Sequence, residues 1–280
     1  NLKEQKVESL FYLELQRLKF LYKESLAPQK EEWYLAGLER LIKNSEGSNL
    51  VIVVLYEQAD FYLETYNKQL VKEDGKIKAH DILVGAIKKY QGSIGVKKCQ
   101  HLLSQIEEKQ MGITVEEAVL PNHISKYLLT YKNVSKVHVK IIPMDHEKVD
   151  IFGRKKSKIN KAIKKQHGVY NETIRLKDLG DFEEHHIELP MPPLKPGLHY
   201  IAVSATGTFD PNEGGFMMTP FWVTGLTFQN RKTKGTSYIR VFDRRSGLPV
   251  EEARVKVDFK DDSWKKKQLK SEIYKTDKDG

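Results

Sequence analysis

The sequence is poor in the features that mark enzymes, membrane proteins and disulfide-stabilised domains. Its one cysteine, Cys99, excludes an internal disulfide framework. No apolar run approaches the roughly 18 residues of a membrane-spanning helix. The sequence contains no P-loop, no dinucleotide-binding glycine pattern and no Gly-x-Ser-x-Gly nucleophile elbow. We therefore expect no catalytic site and no cofactor in this chain.

Positive charge is in excess, and much of that excess is local. The formal net charge is +9, and residues 154–165 contain seven basic residues and no acidic one. A basic helix face can follow a polyanion, so we treat these residues as a candidate polyanion patch: Arg154, Lys155, Lys156, Lys158, Lys161, Lys164 and Lys165. No aromatic residue is interleaved to stack on a base, and charge runs are usually solvated. We therefore do not expect nucleic-acid binding.

Helical periodicity dominates residues 1 to about 109. Five apolar stripes recur at the 3.6-residue period, and the links between them are short. Such a pattern predicts antiparallel helix pairs in a repeat-like bundle. Ser93 is predicted to cap the fifth helix. Cys99 shares the stripe of Leu102 and Ile106, so we interpret it as a buried structural thiol.

The period changes to two after about residue 113, which indicates β-strands. Two strands are predicted at 126–131 and 135–142, with a turn at Lys132-Asn133. In the second strand Val137 and Val139 are expected to point inward and Lys140 toward water. Further strands are predicted at 114–121, 170–177, 185–189, 199–205, 216–228, 237–243, 254–259 and 271–275.

A series of motifs follows in order along this β-region. The motifs are Pro121-Asn122, residues 131–134 (Tyr-Lys-Asn-Val), 187–190 (Ile-Glu-Leu-Pro), 196–201 (Pro-Gly-Leu-His-Tyr-Ile), 221–226 (Phe-Trp-Val-Thr-Gly-Leu) and 243–255, which begins Asp-Arg-Arg-Ser-Gly-Leu-Pro-Val. Within the last motif Ser246-Gly247 supplies a tight turn and Pro249 fixes the chain. In order and spacing the set resembles the macroglobulin domains of large bacterial alpha-2-macroglobulin-like proteins, over residues 115–280.

The resemblance implies an α+β multi-domain fold. An N-terminal α-helical, repeat-like bundle (1–112) would be followed by a macroglobulin-like, Ig-like antiparallel β-sandwich (113–225). Residues 226–280 would begin a second macroglobulin or carboxypeptidase-regulatory-like sandwich. The thioester of the family needs a Cys-x-Glu-Gln arrangement, whereas Cys99 is followed by Gln100-His101. We therefore place neither a thioester nor a bait segment in this chain.

The resemblance also implies a role and a location. The chain would be a non-catalytic structural part of a periplasmic or envelope-associated protein that traps proteases, with its signal segment outside this sequence. Its partners would be downstream domains of the same polypeptide and, through the full-length protein, target proteases. Any membrane anchor would precede Asn1.

Two acidic or histidine-rich clusters have the composition of metal sites but not the spacing. His185 and His186 are adjacent on a predicted strand, so they point to opposite faces and cannot both bind one ion. Asp277, Asp279 and Gly280 resemble part of a calcium loop without its remaining oxygen ligands. We predict no metal site, and a hairpin turn at 277–280.

Two other functions remain open at the level of sequence. The helical repeat and the basic segment 154–165 also fit an adaptor that binds a peptide or a polyanion. A carbohydrate-handling or surface-assembly protein that uses the β-modules as spacers is the third hypothesis, because sandwich folds do not determine function.

Overall fold

The helices of the N-terminal half follow the predicted stripes closely. The structure, a computed structural model, describes residues 2–67, 74–145, 156–213, 215–233, 235–260 and 269–280. In these ranges the chain begins with five helices: α1 (Leu2–Glu24), α2 (Lys30–Asn44), α3 (Val51–Asn67), α4 (Gly75–Lys89) and α5 (Val96–Ile106). No helix within the described ranges has the length and hydropathy that crossing a bilayer requires.

Two hydrophobic clusters hold these helices together. The first joins α1, α2 and α3 through residues such as Phe11, Leu38 and Phe61. The second joins α3, α4 and α5 and includes Leu83 and the fully buried Cys99. Each helix therefore packs on its sequence neighbours, as expected of a helical array with short links.

The start of α5 differs from the prediction. Ser93 does not cap the helix: Gly95 is the N-cap residue, and no side chain makes a capping hydrogen bond. The Oγ of Ser93 is buried without a hydrogen-bond partner among the described residues. Gly95 lies against Ile52, and a Cβ at this position would be 2.4 Å from Ile52 Cγ2. Gly95 therefore allows the start of α5 to pack closely against Ile52, and no side chain caps the helix.

The remaining elements are twelve strands and one further helix within the described ranges. They are β1 (Gln110–Val115), β2 (Ala118–Val119), β3 (Ser125–Lys132), β4 (Lys136–Met144), α6 (Lys156–Lys165), β5 (Tyr170–Arg175), β6 (His185–Met191), β7 (Gly197–Ser204), β8 (Phe216–Val223), β9 (Leu226–Thr233), β10 (Thr236–Asp243), β11 (Arg254–Lys260) and β12 (Leu269–Lys275). The predicted α+β multi-domain class is confirmed.

The first eight strands form two sheets. One has the order β1-β3-β6 and the other β2-β8-β7-β4-β5. The larger sheet is antiparallel except at its edge, where β2 pairs parallel with β8. The larger sheet is therefore mixed at β2 and antiparallel elsewhere, as the predicted sandwich requires. Alternate residues are buried on β3 and on β4, which is the burial pattern of two sheets packed as a sandwich.

The outer face of the five-stranded sheet is covered by α6. Ile159 and Ile163 of the helix form a buried cluster with Ile142 of β4, Tyr200 of β7 and Phe209. The predicted wet face of β4 is therefore wrong at Ile142, which is 0% exposed, whereas Lys136 at the start of that face is exposed. The amphipathic pattern of α6 supplies the covering layer.

Two hairpins follow the larger sheet. The predicted single strand at 216–228 is divided at Thr224-Gly225 into β8 and β9. β9 pairs antiparallel with β10, and β11 pairs antiparallel with β12. The chain turns before β9 begins, and Thr224 Oγ1 stabilises this turn because it accepts a hydrogen bond from the Leu226 amide.

The chain divides into two compact units. The first contains Asn1–Gln110, Lys132–Ser135 and Lys177–His185, and the second contains Met111–Tyr131, Lys136–Leu176 and His186–Gly280. The first unit thus includes the β3–β4 turn. Asn133 in this turn has a positive φ of 55°, and its side-chain amide donates a hydrogen bond to the carbonyl oxygen of Ile106. The separation of residues 113–225 from 226–280 as two domains stays a prediction.

Candidate functional site

The candidate polyanion patch lies on the solvent side of α6. Burial of Ile159 and Ile163 fixes the orientation of the helix and leaves Lys161, Lys164 and Lys165 exposed. Lys156 and Lys158 lie in the first turns of α6, while Arg154 and Lys155 lie outside the described residues. The helix thus presents at least three lysines of the patch to water.

One of these lysines is neutralised by a neighbouring loop. Lys164 Nζ is 2.6 Å from Asp210 Oδ2 in the β7–β8 loop. This hydrogen bond raises the pKa of Lys164 and lowers the pKa of Asp210, which also accepts from the Asn212 amide. An incoming polyanion would compete with Asp210 for Lys164.

Beneath the helix, a further lysine is used for structure. Lys140 of β4 donates to the carbonyl oxygen of Ile163 and lies 4.3 Å from the centre of the Phe209 ring. Burial lowers the pKa of Lys140. This side chain satisfies the C-terminal turn of α6 and does not add to the exposed charge. Polyanion binding by the patch stays a prediction, for which a heparin titration at two salt concentrations is the direct test.

The two histidines of the candidate metal cluster contact different side chains. His185 Nε2 lies 3.0 Å from Asp181 Oδ1, whereas His186 Nδ1 lies 3.0 Å from Thr130 Oγ1. Glu188 forms an ion pair with Lys126. No group of three or more metal-ligating side chains occurs in the described part of the chain.

Aspartates form two turns in the C-terminal part of the chain. Asp243 Oδ1 accepts hydrogen bonds from the amides of Arg245 and Ser246, and Gly247 has a positive φ of 71°. Asp277 Oδ1 likewise accepts from the Asp279 amide. Asp277 thus organises a turn, and the hairpin predicted at 277–280 stays a prediction.

Cys99 has the environment of a packed side chain. Cys99 is 0% exposed, and burial raises the pKa of its thiol. A raised pKa keeps the sulfur protonated at neutral pH and weakly nucleophilic. Its Sγ lies 4.0 Å from the carbonyl oxygen of Ile52.

The join between the larger sheet and the hairpins is held by backbone hydrogen bonds on both sides. The amides of Trp222 and Thr224 donate to the carbonyl oxygens of Glu117 and Val119, each at 2.8 Å. The Arg244 amide donates to the carbonyl oxygen of Gly225, also at 2.8 Å. Only Thr224-Gly225 separate β8 from β9. The join is therefore short and fixed at each end.

The sequence pattern marks Arg244 only as a residue of a turn, and its side chain is a feature of the structure alone. Its Nη1 atom is buried and has no hydrogen-bond partner among the described residues. Arg244 lines a cleft of about 1050 Å³ with Trp222, Phe228 and Val255. No sequence signal marks the Arg244 side chain, because its hydrogen bonding depends on groups that are far apart along the chain.

No family model matches the sequence, and no curated protein matches it. Among solved structures, native alpha-2-macroglobulin from Escherichia coli spanning domains NIE-MG1 is 14% identical, with a TM-score of 0.43, and the match covers 62% of this chain and 85% of that chain.

A second Escherichia coli alpha-2-macroglobulin structure, spanning domains MG0-NIE-MG1, is 13% identical with a TM-score of 0.40, over 61% of this chain and 59% of that chain. The CARDB domain of a Pyrococcus furiosus protein is 16% identical with a TM-score of 0.25, over 41% of this chain and 92% of that chain. The relationship to the alpha-2-macroglobulin fragments is a distant structural one.

Proposed function

We propose that this chain is a non-catalytic structural part of a large alpha-2-macroglobulin-like envelope protein. Its task is to hold and space the parts of that protein that trap proteases. We place the protein in the periplasm or at the cell envelope, and its target proteases bind elsewhere in the full-length protein.

The join at Thr224-Gly225 is the observation that carries this proposal. A spacer must transmit the position of one module to the next, and a long flexible linker cannot do so. Here two residues separate β8 from β9, and backbone hydrogen bonds hold both flanks. This geometry supports the proposal of a stiff connection between β-modules.

The ordered sequence motifs support the same proposal. The Pro-Gly turn precedes β7, whose residues 198–204 are all buried, and the Asp243 motif forms the turn after β10. These motifs therefore occupy the structural positions that their chemistry requires.

Spin labels on either side of the join test the stiffness directly. The labels replace Met217 on β8 and Arg231 on β9, both exposed, in a Cys99→Ala background. We expect one narrow distance distribution between the nitroxides in a double electron–electron resonance experiment. The control inserts three glycines between Thr224 and Gly225 and should broaden the distribution. Equal widths in the two proteins would rule out a stiff spacer.

A further inference from the structure

His199 is a titratable side chain in the interior of the β-sandwich. It lies on β7, the middle strand of the five-stranded sheet, and is 3% exposed. In the strand register its neighbours are Pro143 of β4 and Phe221 of β8, and the His199 and Phe221 rings are 5.7 Å apart. Leu198 and Tyr200 belong to the cluster beneath α6, so His199 points to the opposite face of the sheet, toward the interior of the sandwich.

Only one ring nitrogen of His199 has a protein partner among the described residues. Nδ1 lies 3.1 Å from the carbonyl oxygen of Gly197, and a carbonyl oxygen can only accept, so Nδ1 carries the proton of the neutral ring. A second proton would bind to Nε2, where it would create a charged donor with no protein acceptor in the described part of the chain. The hydrogen bonding therefore favours the neutral imidazole.

The charged side chains of the five-stranded sheet lie away from His199. Strands β2, β7 and β8 contain no acidic or basic residue other than His199 itself. The basic residues of β4 lie on the other face, where Lys140 contacts α6. Glu172 of β5 is on the interior side, but it lies two strands away, opposite Val139 and four residues along β4 from Pro143. No carboxylate of the described strands in this sheet is therefore placed to stabilise an imidazolium.

The facing sheet supplies no negative charge either. Strand β1 has no charged residue, and Tyr127 and Tyr131 are the buried titratable side chains of β3, which carry no charge in acid. His185 at the start of β6 is already paired with a carboxylate of the preceding loop. Arg244 lines a cleft together with Tyr127. A positive charge on either of these two basic side chains would oppose a further positive charge on His199.

The environment of His199 links its protonation to the stability of the fold. Burial lowers the pKa of His199 below its ordinary value of 6.5, although the hydrogen bond to Gly197 acts in the opposite direction. The unfolded chain therefore binds a proton at pH values where the folded chain does not. The stability contributed by the neutral ring is fully present above about pH 6.5, and it is lost as the pH falls below that value.

We propose that His199 is an acid-sensitive switch in the core of the β-sandwich. Above about pH 6.5 the neutral ring packs beside Phe221, and in mild acid the protonation of the ring opens the pairing of β7 with β8. This pairing reaches Val223, the residue before the join at Thr224-Gly225, so acid loosens the sandwich where the join begins. The response depends on the interior of the sandwich alone and does not require that the chain be a spacer.

Urea unfolding of the full chain at pH 7.5 and pH 5.5 measures the switch. Trp222 of β8 reports by fluorescence in a chain whose other two tryptophans are phenylalanine. Between these pH values the unfolding equilibrium constant should rise at least about threefold more with His199 present than in His199→Leu or His199→Gln, with a limit of about tenfold per pH unit for one proton. The control His167→Gln, an exposed histidine of the same unit, should keep the full rise. Equal rises with and without His199 would overturn the proposal.

A histidine titration by NMR decides the same question without a variant that must fold. In the folded chain the imidazole signal assigned to His199 should stay at its neutral position down to pH 5.5, whereas a histidine in a short peptide titrates near pH 6.5. A midpoint at or above about 6.5 for His199 in the folded chain would overturn the proposal, because unfolding would then take up no proton in mild acid.

Discussion

The docking of α6 gives the sharpest stability prediction. Ile163 is 0% exposed and packs in the cluster with Ile142 and Tyr200. Ile163→Ala removes three buried carbons, worth about 2.4 kcal/mol at about 0.8 kcal/mol each. An unfilled cavity adds to this loss, so we expect destabilisation of about 2–4 kcal/mol. Lys161→Ala, on the exposed side of the same helix, should change stability by less than about 0.5 kcal/mol.

Urea unfolding followed by tryptophan fluorescence measures this difference. Trp222 packs against the α6 cluster, so it reports on the affected region. The other two tryptophans, Trp33 and Trp264, are replaced by phenylalanine in all variants. A change in the free energy of unfolding below about 0.5 kcal/mol for Ile163→Ala would refute the account. A helix that does not cover the sheet would lose no stability when its apolar side chains are shortened.

Three further predictions concern the backbone, a carboxylate and the thiol. Gly168→Ala should lower the free energy of unfolding in urea by about 1–3 kcal/mol, because its Cβ would lie 2.7 Å from the carbonyl oxygen of Ile141. The control Gly85→Ala on α4 meets no atom within 4 Å and should raise the free energy of unfolding by about 1 kcal/mol. Burial and two neighbouring glutamates raise the pKa of Asp60 above 3.8, so the ionised form costs stability at neutral pH. Asp60→Asn should therefore raise the urea midpoint at pH 7 and lose this advantage below about pH 3.8; an unchanged midpoint at pH 7 would contradict it. Cys99 should react with a disulfide reagent only on unfolding, and rapid labelling of the native chain would show that it is not buried.

The elements with local signals were predictable from sequence. The α1–α5 stripes and the alternation of β4 arise from neighbouring residues, so periodicity alone located them. The turn at Asn133 was equally local, since asparagine tolerates the positive φ found there.

The features that could not be predicted from the sequence depend on contacts between residues that are distant along the chain. The helix α6 is amphipathic, but its docking on β4 and β7 brings together residues that are distant in sequence, such as Ile163 and Tyr200. The apolar run 216–228 concealed the break at Thr224-Gly225, where the Thr224 amide donates to the carbonyl oxygen of Val119 and the Arg244 amide donates to that of Gly225. The candidate patch was visible as a charge run, whereas the pairing of Lys164 with Asp210 was not.

Protease trapping by the full-length protein that carries this chain tests the central proposal most directly. A protease held in a trap still cleaves small peptides but cannot reach large proteins. After mixing with the full-length protein, a protease should therefore keep its activity on a short chromogenic peptide and lose its activity on casein. The three-glycine insertion at Thr224-Gly225 should weaken this protection. Undiminished casein cleavage with the native full-length protein would contradict the account.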